Sequence, residues 1–76
     1  MPHLPAPVTP DRWIVQLFSA RAAAEDGILR RSVSDVERLI GRQRFCQEVR
    51  RRGFRAVENA GQFVIFCNRD AVSIVV

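Results

Sequence analysis

Three segments of this chain are apolar on both sides when they are written as β-strands, and this pattern limits how the chain can fold. In the segment Gln62–Cys67, Phe63 and Ile65 face one way while Val64 and Phe66 face the other. A sheet with one face in water alternates apolar with polar residues instead. The segments are, in chain order, Trp13–Phe18, Gln62–Cys67 and Ile74–Val76.

Such a sheet needs cover on both faces, and a single helix covers only one. The second face then exposes more large side chains than a soluble monomer usually tolerates as one patch. We therefore expect the chain to pair with itself as a homodimer, or to bind a protein partner. The alternative is that strand ends, loops and the N-terminal residues cover the second face within one chain. The expected interface residues are Trp13, Val64, Phe66 and Ile74.

The clearest local signal is a helix between residues 34 and 52. Ser34 and Glu37 fit a capping box at its start. Gly53 can adopt the left-handed conformation that ends a helix. The apolar positions form two groups on either side of Gly41, so a bend or break there would let both groups face one sheet.

The remaining segments predict strands and one arm. All four prolines lie in the first ten residues, which favours an extended arm over residues 1–11 and a single domain over residues 12–76. The expected fold is α+β, with one main helix packed on a mostly antiparallel sheet of four to five strands in the order ββαββ. The predicted strands are Trp13–Phe18, Ile28–Val33, Phe54–Glu58 and Gln62–Cys67, the last two joined by an Asn59–Gly61 turn, with Ala71–Val76 as an optional fifth.

Positive charge is concentrated in the expected helix. Seven arginines and one acid lie between Arg38 and Arg55, whereas the rest of the chain has five arginines and seven acids. One interpretation is a surface that binds phosphate groups of RNA or DNA, or an acidic partner. The other is a solvated helix face, since Glu48 can pair with neighbouring arginines at helical spacing. The candidate contact residues are Arg44, Arg51, Arg52 and Arg55.

Several function classes are unfavoured by the sequence. A chain of 76 residues is too short for a barrel enzyme. The acids are scattered and His3 lies in the arm, so we expect no catalytic residues, no metal site and no cofactor. Cys46 and Cys67 are expected to be buried, reduced thiols. With no signal peptide and no apolar run long enough for a membrane span, we expect a cytoplasmic protein without membrane contact.

Three stretches of the sequence carry a resemblance. The arm MPHLPAP, the segment DVERLIGRQRFCQEVRRRG and the hairpin VENAGQFVIFCN together resemble a group of short uncharacterised bacterial proteins. Some of these carry the label phosphoribosylanthranilate isomerase, an enzyme whose barrel a chain of this length cannot build. The resemblance implies an intact small protein of unknown function, and it implies no catalytic residues.

The sequence as a whole therefore predicts a small non-enzymatic interaction or assembly protein that associates with itself. The alternative is a basic accessory protein that uses its Arg-rich helix on RNA, DNA or an acidic partner. Substituting interface residues should change the solution mass if the first hypothesis is right. Substituting arginines should change salt-dependent binding if the second is right.

Overall fold

A computed structural model of the chain describes residues 9–76, so most of the expected proline-rich arm over residues 1–11 lies outside the described residues. The α+β class is confirmed. The sheet has three antiparallel strands where four to five were expected, and four helices stand in place of one main helix. The elements are α1 (Pro10–Phe18), α2 (Arg21–Ala24), β1 (Ile28–Ser32), α3 (Val33–Leu39), α4 (Arg42–Arg51), β2 (Arg55–Asn59) and β3 (Gln62–Phe66).

The central strand of the sheet is β3. The strand order is β1-β3-β2, and both pairings are antiparallel. The predicted hairpin between β2 and β3 is confirmed: Ala60 and Gly61 form its turn with φ of 51° and 75°. Positive φ at both central residues is the condition of a type I′ turn, whose twist matches that of the strands it joins.

The segment Trp13–Phe18 forms most of a helix, so the strand predicted there is wrong. The helix starts where the sequence suggested only an arm: the Thr9 hydroxyl accepts a hydrogen bond from the Arg12 amide at 3.2 Å, and Pro10 occupies the first turn. Ile14 and Leu17 lie three residues apart on one face of this helix, and both are buried. Burial of that face stabilises the helix against the strand preference of its β-branched and aromatic residues.

The single helix predicted over residues 34–52 is two helices, α3 and α4, separated at Gly41. Gly41 has φ of 85° and ψ of 150°, a conformation that is essentially restricted to glycine. The break allows Val36 of α3 and Phe45 of α4 both to be buried, as the two apolar groups in the sequence required. The N-cap is Ser32, whose hydroxyl accepts from the Asp35 amide at 3.4 Å, and not Ser34.

Helices α1, α3 and α4 contribute buried side chains to one core on one face of the sheet, and Ala22 and Ala23 of α2 pack against it. We call this side the inner face and the opposite side the outer face. Residues 71–76, the optional fifth strand, lie outside the sheet and in no helix. The buried core cluster consists of Leu17, Leu29, Val36, Phe45, Val49, Phe63, Ile65 and Cys67.

Candidate functional site

The helix α4 fixes which face of the sheet is covered. Its Phe45 ring stacks on Phe63 of the central strand, with 4.5 Å between ring centroids. The guanidinium carbon of Arg42, at the start of α4, lies 5.1 Å from the ring centroid of Phe63. The same guanidinium donates to the Glu58 carboxylate on β2 at 2.8 Å. These contacts place the α4 helix over β3 and close to β2, so the inner face is the covered one.

The outer face carries four apolar side chains at neighbouring positions. The register sets Ile28 beside Phe66 and Val57 beside Val64. Ile28 and Val57 are 52% and 40% exposed, and Val64 and Phe66 are half-buried. We call these four residues the outer apolar patch. The helices between residues 9 and 76 direct their core side chains to the inner face, so this patch stays in contact with solvent in the described part of the chain.

Two arginines flank the outer apolar patch. Arg55 is paired with Phe66 in the register, and Arg30 is paired with Val64, so both lie on the outer face. Both residues are exposed. An apolar centre with arginines at its margin is the composition found at protein–protein interfaces, where the guanidinium groups stay at the wet rim.

The structure brings together only part of the interface set predicted from the sequence. Val64 and Phe66 lie next to one another along the outer face of β3. Trp13 lies on α1, where it is half-buried and packs against the core cluster. Ile74 lies in the segment 71–76 and is 92% exposed. Sequence reasoning missed Ile28 and Val57, because only the strand order and register align them with Phe66 and Val64 of β3.

Three of the four arginines proposed for nucleic-acid contact have a carboxylate neighbour. Arg44 pairs with Asp11 of α1. Arg51 lies 3.9 Å from the Glu48 carboxylate, and Arg52 donates to it at 2.6 Å. The cluster therefore offers less unpaired positive charge than its sequence suggests.

The fourth arginine in that set, Arg55, makes a different kind of contact. Its guanidinium donates to the backbone oxygens of Phe54 at 3.2 Å and Gly53 at 3.5 Å. It has no ion pair within the described residues 9–76, and it is exposed. Arg55 lies at the margin of the outer apolar patch rather than with the helix arginines, so the four predicted residues do not form one surface.

Glu48 on α4 and Glu58 on β2 are held as carboxylates by neighbouring arginines. The hydrogen bond from Arg52 lowers the pKa of Glu48 below its ordinary value of 4.5. The hydrogen bond from Arg42 does the same to the pKa of Glu58. A general acid needs a pKa raised towards neutrality, so these residues are suited to ion pairing rather than to proton transfer.

Arg52 also joins α4 to α1. Its guanidinium carbon lies 4.0 Å from the ring centroid of Phe18, in addition to its bond with Glu48. Phe18 in turn lies 6.0 Å from Phe54 between ring centroids. Arg52 is thus occupied in holding the two helices together, which explains its presence without a nucleic-acid ligand.

The two cysteines have opposite environments. Cys67 is buried in the core, and burial raises the pKa of its thiol, with the negative charge of Asp26 adding to the effect. Cys46 is exposed on α4, so the expectation that both thiols are buried is wrong for this one. The helix turns Phe45 and Val49 to the core, which rotates Cys46 towards solvent.

A shallow groove of about 220 Å³ runs between α4 and β2. Its apolar walls come from the core side of α4, and Ala56 of β2 borders it on the inner face. Cys46 and Arg50 stand at its helix side. The lining residues are Phe45, Cys46, Val49, Arg50, Phe54, Arg55 and Ala56.

No family model matches this chain, and it has no significant match among curated proteins or among solved structures. The resemblance to short uncharacterised bacterial proteins therefore stays a prediction. Between residues 9 and 76, no three His, Cys, Asp or Glu side chains come together as ligands for a metal ion. No helix in that range combines the length and the apolar character needed to cross a bilayer.

Proposed function

We propose that this chain is a small non-enzymatic interaction or assembly protein that associates with a second copy through its outer sheet face. The observation that carries the proposal is the outer apolar patch of Ile28, Val57, Val64 and Phe66. Burying exposed apolar side chains is the main favourable term in protein association. A two-fold pairing buries the same patch on both copies and closes the assembly as a dimer.

The chemistry of the titratable groups supports a role without catalysis. Glu48 and Glu58 are hydrogen-bonded to arginines that lower their pKa, and burial raises the pKa of the Cys67 thiol. None of these three groups has the pKa of a general acid, general base or thiolate nucleophile near neutral pH. Their arrangement fits structural ion pairs and a packed core.

The test is the solution mass of variants on the outer face, measured by light scattering on a size-exclusion column. Val57→Lys places a charge in the outer apolar patch at a residue that is already 40% exposed, so the monomer should still fold. Phe66→Glu does the same on the central strand. Each should reduce the mass from twice to once the chain mass of 8.7 kDa.

The matched control is Val15→Lys on α1, because Val15 is also an exposed valine and lies away from the sheet. This variant should keep the mass of the wild type. A wild type that runs as a monomer at high micromolar concentration would contradict the proposal. Outer-face variants with unchanged dimer mass would contradict it too.

The alternative, a basic accessory protein that binds RNA, DNA or an acidic partner, has weaker support. Arg44, Arg51 and Arg52 each have a carboxylate neighbour, which offsets charge that a phosphate would need. This alternative predicts oligonucleotide binding that weakens steeply as salt rises. Oligonucleotide binding that is lost in Arg44→Ala and Arg51→Ala, together with a monomeric wild type, would favour it.

A further inference from the structure

Residues 71–76 form an apolar segment without a partner in the described structure. Ile74 and Val75 are 92% and 89% exposed, and the segment lies outside the sheet. It is rich in β-branched residues, which favour strands. Written as a strand, it places Val72, Ile74 and Val76 on one side. The composition and the alternation of these side chains are those of a β-strand that packs against another surface.

The strand β2 offers an edge that such a segment could join. It is the last strand of the order β1-β3-β2, and all five of its residues are exposed. An edge strand presents a row of unpaired N–H and C=O groups, to which a second strand can add. With five residues, β2 matches the six residues of the segment in length.

The groove between α4 and β2 lies on the inner face beside this same edge. Ala56, which borders the groove, pairs with the buried Ile65 in the register. A strand added beyond β2 would direct alternate side chains into the groove, against Phe45 and Val49. The other side chains of that strand would extend the outer apolar patch. The segment fits this position, since Val72, Ile74 and Val76 would enter the groove while Val75 would face the outer side.

Geometry disfavours pairing within one chain. A strand added beyond β2 lies two strand spacings from β3, roughly 10 Å. Cys67 stays beside the sheet, because its amide bonds to the Gly27 carbonyl at 2.9 Å. Four Cα–Cα steps lead from Cys67 to Ala71 and span about 13–14 Å when fully extended, so the connection must be nearly straight to reach that position. Here it is bent instead, since the Asp70 amide bonds back to the Asn68 side chain at 2.9 Å.

We propose that residues 71–76 of a second copy add to the free edge of β2, with Val72, Ile74 and Val76 in the groove between α4 and β2. Reciprocal exchange places one segment on each copy and closes a two-fold dimer. This inference rests on the self-association proposed above and adds an exchanged strand to the pairing of the two outer faces. The outer apolar patches of the two copies then become continuous with the added strands.

Cys46 provides a native probe for the test, because it is exposed beside the groove. The double variant Ile74→Cys/Cys46→Ser is refolded together with wild-type protein and oxidised under mild conditions. A disulfide between residue 74 of the variant and Cys46 of the wild type can form only between chains. We expect it at least about tenfold faster than in a matched control, since pairing raises the local thiol concentration to the millimolar range.

The matched control is Val15→Cys/Cys46→Ser, which carries its new thiol at an exposed residue of α1. Mass spectrometry of the linked peptides identifies the disulfide. A second variant, Ser73→Pro, removes one backbone donor of the segment without touching the described core. It should raise the dimer dissociation constant by about tenfold or more, which light scattering over a dilution series measures.

The outcomes separate this inference from the proposed function. A monomeric wild type overturns both. The exchange of residues 71–76 alone is overturned by three results together. The wild type is a dimer, the disulfide between residue 74 and Cys46 forms no faster than in the control, and Ser73→Pro leaves the dimer mass unchanged. A link found within single chains of Ile74→Cys, at monomer mass, also overturns the exchange, because the segment then folds onto its own groove.

Discussion

Replacing Gly41 by alanine tests the break between α3 and α4, and the two possible arrangements predict opposite signs. Gly41 has φ of 85°, and no atom lies within 4 Å of the position that a Cβ would take. Alanine therefore has room, and its whole cost is the backbone conformation. That strain is about 1–3 kcal/mol. A smaller loss of entropy in the unfolded chain offsets about 0.4–1 kcal/mol of it.

The net expectation for Gly41→Ala is a loss of about 1–2 kcal/mol in the free energy of unfolding. For a domain of this length the total free energy of unfolding is roughly 4–11 kcal/mol, so the loss is readily measured. With a denaturant slope of about 1 kcal/mol per M, the midpoint of urea unfolding falls by about 1–2 M. Circular dichroism at the helix band follows the transition. Gln43→Ala, at an exposed position of the next turn, should stay within about 0.5 kcal/mol of the wild type.

One uninterrupted helix over residues 34–52 would give the reverse result. Glycine inside a helix is less favourable than alanine by about 1 kcal/mol, so Gly41→Ala would then stabilise the protein. A midpoint that rises, or that does not move, would refute the separation of α3 from α4. The positions of Val36 and Phe45 in one core would need another explanation.

Three further predictions concern the buried core, the ion pair between Glu48 and Arg52, and the two cysteines. Phe45→Ala should cost about 3–5 kcal/mol in unfolding free energy, because the ring is 1% exposed, and urea denaturation measures the loss. Because the pKa of Glu48 is lowered, its ionised form stabilises the folded protein above pH 4.5, and this stability is lost as the pH falls through the lowered pKa. The urea midpoint should therefore drop less between pH 7 and pH 3 in Glu48→Gln than in the wild type. Iodoacetamide should label Cys46 in the native protein and Cys67 only on unfolding, as intact mass spectrometry will report.

Each of these three has a result that would count against the structure. A Phe45→Ala loss below about 1 kcal/mol would remove that ring from the core. Equal acid sensitivity in Glu48→Gln and wild type would mean that the bond between Glu48 and Arg52 adds nothing to stability. Native labelling of both thiols at the same rate would place Cys67 at the surface.

Local turn and capping chemistry accounts for the elements that sequence reasoning located correctly. The Asn59–Gly61 segment predicted the β2–β3 hairpin, although Asn59 ends β2 and the positive φ values fall on Ala60 and Gly61. Gly53, with φ of 75°, ends the helical region as expected. The apolar groups on either side of Gly41 pointed to a break there. These features depend on a few adjacent residues and need no knowledge of the packing.

The errors arise where packing decides between two local possibilities. In Trp13–Phe18 the apolar residues at positions 13, 14, 17 and 18 fit a helix face as well as a strand, and periodicity alone does not separate the two in so short a run. Thr9 and Pro10 are a helix start signal, but among four prolines in the first ten residues they fit an extended arm equally well. Burial of Ile14 and Leu17, the latter in the shared core, resolves the choice in favour of α1.

The candidate site was predictable only in its central strand. Val64 and Phe66 stood out because β3 is apolar on both faces within one continuous run. Ile28 and Val57 could join them only after the strand order and register were known. Among the arginines, the pairs with Glu48 follow from helical spacing, whereas the Asp11 partner of Arg44 lies 33 residues away and depends on the tertiary structure.

The solution mass of the unmodified chain tests the central claim most directly. Light scattering on a size-exclusion column in high salt, over a dilution series, reports whether two copies associate through apolar surface. The account predicts twice the chain mass of 8.7 kDa at high micromolar concentration, and a return to the single mass on dilution or in Val57→Lys. A single-chain mass at every concentration would contradict it.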